Sequence, residues 1–247
     1  MPDPYQEPSP IIVALDFDTA SAALGVVSRL GHDAKFYKLG MQLLVAEGPC
    51  IVRDLVEMGK SVFLDLKLHE IPNSVSAGVR VAGKLGASMV TVHASAGSAV
   101  LEAAAAAAST YPDLSVIALT VITSLKDEDL PEIGVTSSVH EQVVRLARMS
   151  AEAGCHGVVA SAWEAEYLKD ELPRDYEIIT PGVQLLTSAP TDQARVASPH
   201  QAAEAGATRV IVGRAITRAE APQKAFTEAL KSYEAGRAGH ERASLWR

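Results

Sequence analysis

Aromatic side chains make up only 5% of the 247 residues, so the core has to be built mostly from Ala, Val, Leu and Ile. That suits an α/β protein whose parallel strands are buried on both faces and read as aliphatic runs. Cysteine is nearly absent. Cys50 and Cys155 lie far apart, and neither has a Cys or His partner at ligand spacing. The expectation is two buried thiols in a reducing compartment, not a disulfide or a zinc site. No apolar run approaches the ~20 residues of a membrane span, and Met1-Pro2-Asp3-Pro4 lacks a positive stretch leading into an apolar one. The chain is therefore expected to be soluble and cytoplasmic, with no membrane partner. Positive charge is also short, with 22 Lys and Arg against 30 Asp and Glu and a net charge of −8. Without a dense basic stripe the surface repels phosphodiester backbones, which argues against nucleic acid as a partner. A small anion remains possible, because a few local cations can dominate one cleft.

Hydrophobic residues are plentiful, at 48%, enough for one sizeable core. Short β-branched runs alternate with helical stretches along the whole chain. Strands are expected at residues 11–15, 36–39, 61–66, 88–93, 115–120, 157–160, 177–180 and 209–212. Helices are expected at 21–30, 48–58, 74–85, 99–108, 138–153, 163–169, 199–205 and 222–233. Eight strand–helix units with short links predict an α/β fold, a closed (β/α)8 TIM barrel in a single domain, ahead of an open doubly wound sheet. Gly86, Gly154 and Gly206 each end a helix just before the next strand, as C-caps. The expected layout is an extension over 1–9, a barrel over 10–235 and a frayed tail over 236–247, where the apolar pattern fades.

Barrel enzymes carry their chemistry at the C-terminal ends of the strands, and here those ends are charged. The first strand ends at Asp16, the second carries Lys38, and the third ends in Asp65-Leu66-Lys67. Alternation along a strand sends Asp65 and Lys67 to the same side, towards the barrel mouth. A structural ion-pair network would account for any one of these residues. It accounts poorly for four on neighbouring aliphatic strands, because burying charge costs several kcal/mol per ion and the fold does not require it. A catalytic array is the stronger reading.

The far end of the sequence supplies an anion anchor. Loops after strands seven and eight of such barrels often bind phosphate. Strand seven runs into Thr180-Pro181-Gly182 and a long loop to Gln193, and strand eight into Gly213-Arg214. Glycine lets backbone N–H groups approach an anion, and arginine offers it a bidentate fork.

With these residues in place the chain resembles the bacterial orotidine 5′-phosphate decarboxylase family. The resemblance rests on Val13-Ala14-Leu15-Asp16, Phe63-Leu64-Asp65-Leu66-Lys67 with Ile71-Pro72-Asn73, Val92-His93-Ala94-Ser95, Thr120-Val121-Ile122-Thr123-Ser124, Thr180-Pro181-Gly182 and Ile211-Val212-Gly213-Arg214, in the family's order. It implies conversion of orotidine 5′-monophosphate (OMP) to UMP and CO2, with no metal and no organic cofactor, by a homodimer whose sites lie at the subunit interface. Lys67 would protonate C6 of the pyrimidine, Asp65 would sit beside the departing carboxylate, and Lys38 would hold the carboxylate and ribose network. Asp16 would bind the ribose hydroxyls, Thr123 the pyrimidine, and Gln193, Gly213 and Arg214 the phosphate end; Pro181 belongs to the same substrate-binding set.

Three departures stand out. The family's second aspartate, three residues after the lysine, is Glu70 here, and in the family that carboxylate reaches the partner subunit's site. Gln184 stands where relatives often have a phosphate-binding arginine, and Ser74 where threonine is common. His69 and His93 fall near the mouth, and His93, without a second ligand at metal spacing, reads as a hydrogen-bonding support. The rival enzyme reading is a Mg2+-dependent 3-keto-L-gulonate 6-phosphate decarboxylase, which resembles this chain in its Asp-x-Lys motif but has an acidic residue where Lys38 stands. A catalytically silent nucleotide-binding barrel is the rival from another class.

Overall fold

The computed structural model describes residues 9–185 and 196–244. Among the described residues there are eight strands: β1 Ile11–Ala14, β2 Phe36–Gly40, β3 Ser61–Leu68, β4 Met89–His93, β5 Ser115–Leu119, β6 Gly157–Val159, β7 Glu177–Val183 and β8 Arg209–Val212. Each pairs in parallel with the next, and β8 returns to β1 through Ile11↔Val210 and Ile12↔Ile211, closing the expected barrel.

The helices form the outer ring: α1 Ala20–Leu30, α2 Met41–Glu47, α3 Cys50–Glu57, α4 Pro72–Lys84, α5 Ser98–Ala108, α6 Val139–Glu152, α7 Ala162–Glu171, α8 Pro199–Glu204, α9 Arg214–Thr217 and α10 Pro222–Ser244. Local signals fix many of their starts. Ser138 accepts from the Glu141 backbone N–H while the Glu141 carboxylate accepts from that of Ser138, a capping box that opens α6. Pro72, Pro199 and Pro222 occupy first turns, where the missing N–H costs nothing. Among the described residues no helix is long and apolar enough to cross a membrane.

Strand alternation divides the apolar residues between two cores. Odd-numbered residues of β1 and β2, such as Ile11, Val13, Tyr37 and Leu39, face outward and pack under the helices. Ile12, Phe36, Phe63, Met89, Ile117 and Ile211 fill the barrel interior instead. The interior plug sets the positions of the polar residues above it. Two residues beyond Phe36, Phe63 and Met89 on the same inward parity come Lys38, Asp65 and Thr91. Below the plug, Arg209 is buried, pairs with Glu177 (Nη2–Oε1, 2.7 Å) and donates to the Ser9 carbonyl, closing the opposite end.

Four sequence expectations are corrected. The helix expected over 48–58 is present as α3, but a further helix, α2, precedes it over 41–47, where none was expected; Gly48 (φ 70°) and Pro49 separate the two. Residues 214–217, expected as loop, form the short helix α9. Cys155 is buried as expected, but Cys50 is exposed at the start of α3. The tail expected to fray after Ala235 stays helical to Ser244. Its anchor is tertiary: Gly236 packs so closely on α8 that a Cβ there would lie 2.2 Å from the His200 carbonyl oxygen. His240 Nδ1 lies 2.9 Å from the Glu204 carbonyl oxygen.

Candidate active site

At the C-terminal mouth of the barrel the charges alternate in sign along one row. Asp16 Oδ1 lies 3.1 Å from Lys38 Nζ, Lys38 Nζ lies 3.6 Å from Asp65 Oδ2, and Asp65 Oδ2 lies 2.7 Å from Lys67 Nζ. The four residues predicted to converge therefore do. Lys38 and Asp65 are buried, and alternation offsets the several kcal/mol that desolvating each charge costs. Gly40 leaves room for the row, since a Cβ there would come within 3.2 Å of Lys38 Nζ. The Lys67 side chain is 42% exposed against 11% for Lys38, so Lys67 is the ammonium open to a ligand.

Asp65 and Lys67 meet by a route that simple alternation does not describe. Lys67 has φ 49°, and the register of β3 against β4 shifts between Leu64 and Leu68. A non-glycine residue in this left-handed region costs on the order of 1–3 kcal/mol and persists only where its surroundings hold it. The hold comes from Thr91 on β4, which is fully buried. Its Oγ1 accepts from the Lys67 backbone N–H at 2.7 Å and donates to Asp65 Oδ1 at 3.1 Å. Sequence reading passed over Thr91, because a threonine in a strand reads as plain β propensity.

The row opens into a cavity of about 820 Å³. Thr123, Pro181, Gln184, Gly213 and Arg214 line it, together with Asp16, Lys38, Asp65 and Lys67, so both halves of the predicted site share one space. Arg218 and Lys224, which sequence reading did not single out, line it as well. Arg218 sits one turn beyond Arg214, a spacing that could have flagged it. The cavity's apolar wall includes Leu119, Val159 and Ile211. A larger groove of about 1180 Å³ lies outside the barrel between α7, α8 and α10, away from the C-terminal strand ends, and its charges are mixed.

Glu70 and Ser74 do not line the cavity within one chain. Both are exposed at the start of α4, where hydrogen bonding to the Ile71 backbone and the Ser74 side chain holds the Glu70 carboxyl below the usual carboxylate range. Gln193 lies outside the described residues.

His69 and His93 stack beside the row, with ring centroids 5.2 Å apart. His93 Nδ1 lies 2.7 Å from Ser95 Oγ, in keeping with the supporting role expected of it. Burial, and then the charges of His69 and Lys67, push the His93 imidazole below its ordinary pKa. Among the described residues no group of three His, Cys, Asp or Glu side chains is placed to share a metal ion.

Residues 9–229 match the family described as Orotidine 5'-phosphate decarboxylase / HUMPS. A Pseudoalteromonas translucida protein named orotidine 5'-phosphate decarboxylase is 40% identical over 94% of this chain and 100% of its own length. One of the same name from Idiomarina loihiensis is 44% identical over 90% of this chain and 96% of its own. The crystal structure of orotidine 5'-phosphate decarboxylase from Lactobacillus acidophilus superposes with a TM-score of 0.83 at 33% identity, covering 92% of this chain and 100% of that one. An uncharacterized conserved protein from Geobacillus kaustophilus superposes with a TM-score of 0.80 at 31% identity, over 91% of this chain and 100% of that one. The chain belongs to the orotidine 5'-phosphate decarboxylase family.

Proposed function

We propose that this protein is a carboxy-lyase that converts OMP to UMP and CO2, using its own side chains and no cofactor. The observation that carries the reading is the Asp65–Lys67 pair, 2.7 Å apart at the mouth of an otherwise apolar barrel, with Lys67 open to the cavity. Loss of CO2 from C6 leaves an electron pair in the plane of the pyrimidine ring, where the ring π-system cannot absorb it. An ammonium fixed at that carbon stabilises the charge as it develops and then donates its proton. Asp65 holds that ammonium and lies beside the leaving carboxylate; Lys38 links Asp65 to Asp16, the partner for the ribose hydroxyls.

Thr123 serves the pyrimidine, while Pro181, Gln184, Gly213 and Arg214 frame the phosphate end, to which the family resemblance also assigns Gln193. Gln184 brings no charge to the phosphate, and Arg218 and Lys224 on the same wall supply it instead. Binding energy from the phosphate is then expressed at the reacting carbon. Lys38 also argues against the Mg2+-dependent reading: its ammonium already pairs with both Asp16 and Asp65, the carboxylates that a divalent cation would need.

The same reading includes a homodimer in which Glu70, and Ser74 beside it, complete the partner's site. Glu70 projects from the exposed start of α4. Met41, Val45 and Ile71, on the segments that leave β2 and β3, are large exposed apolar side chains of the kind an interface covers. A cytoplasmic setting fits the free thiols of Cys50 and Cys155. Product analysis tests the reaction: OMP should yield UMP and CO2 in equal amounts, and OMP recovered intact would overturn it.

A further inference from the structure

We propose that Thr91 is a positioning residue for this reaction, setting the direction in which Lys67 delivers its proton. The inference rests on the reading of Lys67 as the proton donor. Thr91 is fully buried on β4, on the inward parity that places Asp65 and Lys38 above the barrel plug. One hydroxyl serves two neighbours: it accepts from the Lys67 backbone N–H at 2.7 Å and donates to Asp65 Oδ1 at 3.1 Å.

Both bonds are needed at this point of the fold. The register shift between Leu64 and Leu68 removes the Lys67 N–H from the regular β3–β4 ladder, and a buried N–H without an acceptor is costly. Thr91 supplies that acceptor and thereby holds Lys67 at φ 49°. Its donated bond occupies Oδ1 of Asp65, leaving Oδ2 to face Lys67 Nζ at 2.7 Å and Lys38 Nζ at 3.6 Å. Thr91 thus fixes the backbone from which the Lys67 side chain springs and also the carboxylate oxygen that aims its ammonium.

The test compares Thr91→Val, which keeps the shape and removes the hydroxyl, with Thr91→Ser, which keeps the hydroxyl. Thr91→Val should lower kcat for OMP about a hundredfold, the scale of a misplaced catalytic group. KM should stay near the wild-type value, because the ribose and phosphate contacts are untouched, and Thr91→Ser should restore most of kcat. Should Thr91→Val fail to fold, Thr91→Cys, with its weaker S–H donor, must show the same selective loss of kcat in smaller measure. Wild-type kcat in the Val or Cys variant, or an equal loss in the Ser variant, would overturn the inference. A crystal structure of Thr91→Val needs no substrate and so separates this idea from the reaction assignment. Lys67 should leave the left-handed region and its contact with Asp65 should lengthen; an unchanged Lys67 backbone and ion pair would refute the role.

Discussion

Lys67 Nζ approaches Asp65 Oδ2 to 2.7 Å from a backbone held at φ 49°, so an energetically unfavourable conformation is maintained where the two side chains meet. Replacing Lys67 by Ala should reduce OMP turnover by at least ~10³-fold, consistent with losing both the proton donor and the charge that stabilises the carbanion. The fold should survive, because Asp65 keeps Lys38 and Thr91 as partners. OMP consumption read alongside a circular-dichroism melt checks both halves; near-normal turnover would rule out the proton-donor role.

Arg214 begins α9 directly after β8, on the wall of the cavity opposite in sequence to the Asp-x-Lys strand. Arg214→Ala should raise KM for OMP by about 10–100-fold, the scale of one charge-assisted hydrogen bond. Turnover of orotidine, which lacks the phosphate, should change far less. Equal loss on both substrates would show that Arg214 does not serve the phosphate.

Glu70 carries one more methylene than the aspartate its family uses, and its carboxyl is held towards the Ser74 end of its own helix. Glu70→Asp should shorten that reach, free the carboxylate for the neighbouring subunit's Lys67, and raise kcat severalfold. Sedimentation of the wild-type protein should give a dimer. Equal or lower kcat in the variant would show that this chain has adapted to glutamate, and a monomer active at assay concentration would remove the shared site.

His93 binds a proton less readily when folded than its ordinary value of ~6.5 in the unfolded chain. As the pH drops through that value the unfolded state takes up more protons. The stability from keeping His93 neutral is therefore complete above ~6.5 and is lost as pH falls through the lower folded value. His156, lowered mainly by burial, works in the same direction. Thermal melts from about pH 8 to about pH 5 should fall on the acid side, with a shallower slope for His93→Gln. An unchanged slope in that variant would assign the dependence to other groups.

The barrel was legible because buried parallel strands leave aliphatic runs, and because Asp16, Lys38 and Asp65 interrupt those runs on one parity. What stayed hidden depends on contacts between distant segments. Thr91 lies 24 residues from Lys67, and only the β3–β4 pairing brings its hydroxyl to that N–H. The i, i+2 argument put Asp65 and Lys67 on the same side but could not reveal the bulge between them. The last helix outran its apolar pattern because Gly236 packs on α8, where tertiary contact overrides weak local propensity.

The central claim is that Lys67, aimed by Asp65, lets this protein decarboxylate OMP without a metal. The most direct measurement follows OMP loss by wild-type protein and by Lys67→Ala, each with and without EDTA. Wild-type protein should convert OMP to UMP at a rate that EDTA leaves unchanged, while Lys67→Ala should be inactive under both conditions. Wild-type turnover that vanishes with EDTA and returns with Mg2+, or no turnover of OMP at all, would contradict the account.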